Sequence, residues 1–358
     1  MWYRFWYCYI TEQKSNRNMK AIVKKYSKPG LWLEEMPKPQ PGPNEVLIKT
    51  HKASICGTDV HIYKWDEWAQ KDVRVPVIVG HEGMGVIEET GELVQGLKVG
   101  QRVACEGHLN CGHCRNCRTG SAHVCGETLG IGRHSNGLFA EYFIMPASNV
   151  YPLSDAVSDN VGAVLDPLGN AVHTTLHFPI VGEDVLITGA GPIGLMAVAI
   201  ARHAGARHII ITDRNPFRLK LAEQMGCTAA VNVDTQDPKQ VAKDLGIKEG
   251  FGVGLEMSGS AQGLNSMLSL MQPAGKVALL GILPGSTQID WDLVIFHGLT
   301  LQGIYGREMY ATWDKMDRLL QAGLDITPII THHYPFEEYE QAFEAISTGR
   351  CGKVVLHW

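Results

Sequence analysis

DVLITGAGPIGLMAVAIARHAGARHIIITD, residues 184–213, reads as a strand, a glycine-rich turn, a helix and a second strand ending on an aspartate. Gly189, Gly191 and Gly194 suit a turn tight enough to bring backbone against a pyrophosphate while the helix packs closely on its strand. Pro192 opens the helix, where a missing N–H costs nothing, and the free N–H groups at that helix end favour a phosphate. A lone glycine triplet is a weak signal. The strand before it, the helix after it and an aspartate about 20 residues further on supply the context of a dinucleotide site. Asp213 would accept hydrogen bonds from ribose hydroxyls and repel a 2′-phosphate, which favours NAD over NADP. Arg214 and Arg218 pull the other way, since an arginine can serve a 2′-phosphate.

Downstream, AAVNV, PKQVAKDLG, GVGLEMSG, GLNSMLSLMQ and KVALLG continue the alternation to Gly281. Such alternation implies an α/β domain with a doubly wound parallel sheet covered on both faces. From about Tyr310 the tail returns to a helix, WDKMDRLLQAG, and a final strand, KVVLHW. Upstream, from Met19 to about Val150, EVLIKTHKASI, VIVGHEGMGVIEE, QRVACEG and LFAEYFIMPA are short strand-like runs cut by Gly and Pro, so this part reads as all-β.

A chain of 358 residues allows about two domains. Its net charge of −5 gives no basis for binding nucleic acid or an anionic membrane, and no run reaches the ~20 apolar residues of a spanning helix. The opening MWYRFWYCYITEQKSNRN lacks the apolar core and cleavage site of a signal peptide. The expectation is an over-extended start, a working N-terminus at Met19 and a cytoplasmic protein.

Five of the nine cysteines fall between Cys105 and Cys125. This clustering points to metal ligands in a reducing compartment, not a disulfide framework. Cys111, Cys114, Cys117 and Cys125 are spaced C-x2-C-x2-C-x7-C and match the closed four-sulfur shell of structural zinc. An iron–sulfur run would place its fourth cysteine after three residues, followed by proline. Four sulfurs fill the shell, so His113 and His123 are expected at the surface or behind the thiols.

Two further pieces point to reactivity: CGTDVH, with Cys56, Thr58 and His61, and GHE, with His81 and Glu82. A catalytic zinc needs about three protein ligands and one open position. Cys56 and His81 supply two, and Glu82 or a later carboxylate the third. Zinc lowers the pKa of a hydroxyl brought against it, and Thr58 with His61 makes a hydroxyl-to-imidazole path for the proton. Singly, each has a plain structural explanation as a buried thiol, a core histidine or a turn hydroxyl. Adjacent side chains on a strand face opposite ways, so His81 and Glu82 reach one metal only if the backbone turns. Gly80 and Gly83 permit such a turn.

In the order CGTDVH, GHE, four-cysteine lobe and GAGPIG, the chain resembles the zinc-dependent medium-chain dehydrogenases from Met19 to Trp358. The resemblance implies a zinc-binding, GroES-like catalytic domain of residues 19–167 and 310–358. An NAD-binding Rossmann domain, 168–309, is inserted in it, and residues 1–18 form an extension. It implies two zinc ions per subunit, one catalytic on Cys56, His81 and Glu82, the other structural on Cys111, Cys114, Cys117 and Cys125. Thr58 and His61 fall at the proton-relay positions. Asp166, one methylene shorter than the glutamate of some relatives, belongs to the relay or stands behind the zinc ligands. NAD contacts fall at Gly189, Gly191, Ile193, Gly194, Asp213, Arg218, Leu280, Gly281, Ile282, Ile304 and Tyr305, and His108 matches a substrate-selecting position.

CGTDVHIYKWDEW, CGHCRNC, LDPLGNAVHT, LEMSG, GIYGREM and PIITH narrow the likeness to members that oxidise L-threonine at its β-carbon. Their products are 2-amino-3-oxobutanoate, NADH and a proton, and such relatives are homotetramers. The nearest alternative is a polyol or butanediol dehydrogenase with the same zinc and NAD. By resemblance, the loop of Trp65 and Trp68 and the segment Gly306–Met309 favour the amino acid. A zinc-stabilised nucleotide-binding regulator without turnover would have lost its reactive ligands, yet Cys56, Thr58, His61 and His81 are all present.

Overall fold

The computed structural model describes residues 18–358. Apart from Asn18, the expected N-terminal extension lies outside the described residues. A six-stranded parallel sheet runs in the spatial order Ala229–Asn232, His208–Asp213, Asp184–Thr188, Phe251–Glu256, Met271–Leu279 and Thr300–Gly303. Numbered along the chain, that order is 3-2-1-4-5-6, the doubly wound arrangement of dinucleotide-binding sheets. Val185, Leu186 and Ile187 are buried, as are Ile209, Ile210 and Ile211. These continuous apolar runs are required because helices such as Pro192–His203 cover both faces.

The other large sheet is mainly antiparallel and centres on Glu45–Ser54. That strand pairs with Glu82–Thr90, Tyr142–Pro146 and Lys353–His357. Val355 lies opposite Ser54, so the β-rich domain is closed by a strand from the far end of the chain. The parallel-sheet domain is thus an insertion within a β-rich one. Helix Leu165–Thr175 bridges the two, packing on Pro192–His203, on Ala311–Gln321 and on strand Glu82–Thr90.

The all-β expectation for the N-terminal part needs one correction. Gly57–Lys64 and Glu67–Asp72 are helices. Each starts on a side chain that satisfies an N–H at its beginning: Asp59 accepts from Cys56 N, and Asp66 accepts from Ala69 N. The first of these helices carries Thr58 and His61. Among the described residues, no helix is long and apolar enough to cross a membrane.

Candidate active site

Gly80 decides the geometry of the first donor set. It sits at φ +88°, and a Cβ there would fall 2.1 Å from the Phe139 ring, so glycine is required twice over. The turn splits VIVGHEGMGVIEE into strands Val77–Ile78 and Glu82–Thr90. His81 and Glu82 are thereby swung to one side, and the donor atoms of Cys56, His81 and Glu82 all lie within 4.8 Å of one another. Glu82 Oε2 is held by Ser54 Oγ and by Lys353 Nζ from the far-end strand, which leaves Oε1 for a metal. Asp59 Oδ1 has no hydrogen-bond partner and lies 3.8 Å from His81 Nδ1.

Electrostatics in this pocket call for a cation. Burial opposes charge on His81, but the Cys56 sulfur and the Asp59 carboxylate override it and lift the imidazole to about 10. Burial pushes the Asp59 and Asp166 carboxyls up. Glu82 is also opposed by burial, yet Lys353 and His81 hold it below its usual value. Four buried carboxyl groups, on Asp59, Glu82, Glu106 and Asp166, gather with Lys353, Arg307 and the proton-attracting imidazole of His81. A metal ion taking sulfur, nitrogen and oxygen donors would stand where the Cys56 sulfur and Asp59 otherwise draw a proton onto His81, and zinc takes such a set.

Thr58 and His61 lie three residues apart on helix Gly57–Lys64, hence on one face. No hydrogen bond joins them among the described residues. The His61 side chain is 56% exposed and its Nδ1 is hydrogen-bonded to Asp66. Asp166 lies elsewhere, on helix Leu165–Thr175, in an ion pair with Arg307. Arg307 also donates to Glu106 Oε1 at 2.6 Å and to Asn170 Oδ1 at 3.2 Å. Glu106 receives three more groups: His108 N and Nδ1, both at 2.9 Å, and Trp313 Nε1 at 3.0 Å. Burial works against the Glu106 charge, but Arg307 and His108 outweigh it and bring the carboxyl down to about 2. His108 is so fixed, with its ring 6.1 Å from that of Tyr305.

Sequence reasoning missed Ser54, Asp59, Glu106 and Lys353, and noticed Arg307 only as part of a motif. A signal was present for two of them. Asp59 and Glu106 interrupt the apolar runs of SICGTDVHI and RVACEGH, and a buried carboxylate demands a partner.

The four-cysteine lobe is a separate site. Its sulfur–sulfur distances run from 3.5 to 3.9 Å, where a tetrahedron with zinc–sulfur bonds of about 2.3 Å has edges of about 3.8 Å. Backbone N–H groups of Cys111, Cys114, Cys117 and Glu127 point at sulfurs. Burial opposes ionisation of Cys125, but the N–H groups of Cys111 and Glu127 prevail and lower its thiol to about 6. His113 is an exposed neighbour of Glu127, and the His123 ring stacks edge-on against His173. Neither joins the four sulfurs.

At the parallel sheet, the expected cofactor residues gather at the carboxyl ends of the strands. Gly189 has φ +93°, and a Cβ on Gly194 would fall 2.0 Å from Gly189 O. Nothing lies within 4 Å of a Cβ on Gly191, which leaves that position open to a phosphate. Ile193 follows at the helix start. Asp213 ends its strand beside this turn, accepting from Ala190 N at 2.6 Å. Leu280, Gly281 and Ile282 follow one strand end, and Ile304 and Tyr305 another. A cavity of about 230 Å³ opens beside Asp213, lined by Gly189, Val233, Ser258 and Leu270 among others. Arg214 is spent on Asp234 at 2.9 Å, whereas Arg218 Nε is buried without a partner.

The alcohol dehydrogenase GroES-like domain matches residues 42–155, and the zinc-binding dehydrogenase domain matches residues 192–322. The chain belongs to the zinc-dependent medium-chain dehydrogenases. It is therefore an oxidoreductase that uses zinc and NAD on a small-molecule substrate. Among curated relatives of this family, L-threonine 3-dehydrogenase of Chromobacterium violaceum is 57% identical over 340 residues, covering 95% of this chain and all of the relative. The Shewanella woodyi and Deinococcus deserti enzymes of the same name are 55% and 56% identical, with coverage of 95% of this chain and 100% and 99% of theirs. Of solved structures, an Escherichia coli alcohol dehydrogenase complexed with NADH has a TM-score of 0.87 at 29% identity, covering 95% of this chain and 99% of that one. Galactitol-1-phosphate dehydrogenase of E. coli has a TM-score of 0.86 at 26%, covering 95% and 100%. The 2R,3R-butanediol dehydrogenase of Bacillus subtilis, 24% identical with a TM-score of 0.84 and coverage of 95% and 99%, shares the fold.

Proposed function

We propose that this chain oxidises L-threonine at its β-carbon with NAD, giving 2-amino-3-oxobutanoate, NADH and a proton. The observation that carries the chemistry is the convergence of Cys56, His81 and Glu82, whose donor atoms lie within 4.8 Å of one another. The choice of threonine is supported by relatives of that name at 54–57% identity over almost the whole chain. No comparable observation favours a polyol or butanediol.

Cys56, His81 and Glu82 would hold the catalytic zinc, and Cys111, Cys114, Cys117 and Cys125 a structural one, two per chain. When bound, zinc would supply Lewis acidity to the substrate hydroxyl and NAD would be the hydride acceptor. The protein's part is to orient and to move a proton. Lys353 and Ser54 fix Glu82. Asp59 lies 3.8 Å from Nδ1 of His81, which leaves Nε2 as the nitrogen that would reach a metal. Thr58 takes the hydroxyl proton and, with the nicotinamide ribose, passes it on toward His61. Asp166, paired with Arg307, serves the electrostatics of the zinc pocket, and His108, held by Glu106, stands at the position that selects the substrate. Asp213 takes the adenosine ribose, and the capture of Arg214 by Asp234 supports NAD over NADP.

Free cysteines throughout the described residues suit a reducing, cytoplasmic setting. The homotetramer rests on the resemblance, and contact between copies is supported by exposed Trp291, Ile295 and Phe296 and by the open edge of strand Thr300–Gly303.

Turnover of L-threonine, sorbitol and 2,3-butanediol with NAD and with NADP, followed by absorbance of the reduced cofactor, tests the proposal. Threonine with NAD should give the highest kcat/KM. A polyol preference would overturn the substrate, and no turnover of any alcohol would overturn the activity.

A further inference from the structure

We infer that Asp66 is the positioning residue of the proton exit, fixing His61 so that its Nε2 is the nitrogen that receives the proton. The inference deepens the proposed relay and rests on it.

Asp66 holds the imidazole from a carboxylate that is itself anchored. One oxygen, Oδ2, meets His61 Nδ1, while Oδ1 accepts the Ala69 N–H at 3.0 Å at the start of helix Glu67–Asp72. Trp65 brings Asp66 back to His61. It lies in the left-handed region, at φ 56° and ψ 47°, where a bulky side chain is rare. Trp65 N and Asp66 N both donate to the His61 carbonyl, at 2.9 and 3.5 Å. The Trp65 ring is clamped by Lys24, whose Nζ lies 4.6 Å from the ring centroid. Lys24 is buried and donates to the carbonyls of Lys28 and Gly30 at 2.6 and 3.0 Å, so the clamp is rigid. Trp68 covers the imidazole, with ring centroids 5.7 Å apart.

An ionised carboxylate only accepts hydrogen bonds. Neutral His61 must therefore carry its hydrogen on Nδ1 and keep the Nε2 lone pair free as a base. When Nε2 takes the proton passed along from the substrate hydroxyl, the imidazolium forms against Asp66. It then loses that proton to water across its exposed face. Hydride goes to the nicotinamide and the proton to solvent, so the balance needs no other reactant.

Asp66→Asn is the discriminating variant, because asparagine keeps the helix cap but both donates and accepts, so it no longer selects a tautomer. With L-threonine and NAD, kcat should fall about 10-fold, with KM, zinc content and Tm as in the parent enzyme. Added imidazole should restore part of the loss, and His61→Ala/Asp66→Asn should be no slower than His61→Ala. Independently of turnover, solid-state ¹⁵N spectra of histidine-labelled enzyme, with His61 assigned by its loss in His61→Ala, should show Nδ1–H in the parent and a mixture in Asp66→Asn. An impaired His61→Ala beside an unimpaired Asp66→Asn, additive losses, or an unchanged tautomer would overturn this inference alone. An unimpaired His61→Ala would overturn the relay itself and this inference with it.

Discussion

Cys56 and Arg307 occupy adjoining regions of one buried cluster, yet their replacement should have opposite signatures. Cys56→Ser removes a metal donor from a pocket whose packing is set by other residues. If the proposed catalytic zinc sits on Cys56, the change should lower kcat/KM at least about 100-fold, reduce bound zinc by one ion per chain by elemental analysis, and leave the melting temperature nearly unchanged. Arg307→Met strips two buried carboxylates of their shared counter-charge, and loss of one partner of such a pair costs about 3–5 kcal/mol, measurable by urea unfolding. The same network sets a pH dependence. Burial resists the Glu106 charge, but Arg307 and His108 win and hold its carboxyl at about 2. A depressed folded-state value contributes stability above the unfolded value, about 4.5 for a glutamate, and loses it as pH falls toward 2. Arg307→Met should flatten that acid-side slope, and equilibrium unfolding across this window would show it.

At the scale of the element, what could be read in advance was what repeats or obeys a spacing. The glycine turn, five of the six parallel strands and the four thiolates are local signals, each carried by one continuous stretch, whereas the edge strand Thr300–Gly303 was missed. The helix Gly57–Lys64 was hidden because CGTDVHIYK has a β-branched composition, and its start depends on a bond from Asp59 back to Cys56 N. The partners of Glu82 and Glu106 were hidden for a different reason: Lys353 and Arg307 reach them from distant elements, and no short-range pattern records such a pairing. The cysteine lobe is a self-contained element, since its sulfurs and the N–H groups aimed at them come from residues 111–127. Cys114→Ser should therefore release the structural zinc and expose the lobe to limited proteolysis. Strands of the parallel sheet should keep their hydrogen-exchange protection.

For the whole molecule, the exposed ridge of Trp291, Ile295 and Phe296 is the face on which the proposed assembly would be built. Phe296, 81% exposed in a single chain, should be covered between copies. Phe296→Glu should then lower the mass seen by light scattering while each subunit keeps both zinc ions. An unchanged mass would place the contact elsewhere. The insertion of one domain within another has its own consequence, felt during synthesis. The four thiolates leave the ribosome within one short stretch and can close on a metal at once. Glu82 waits for Lys353, a partner 271 residues downstream. The lobe is therefore expected to close before the cleft is complete, and a chain cut short before Lys353 should keep the four-cysteine lobe but lose the anchor of Glu82.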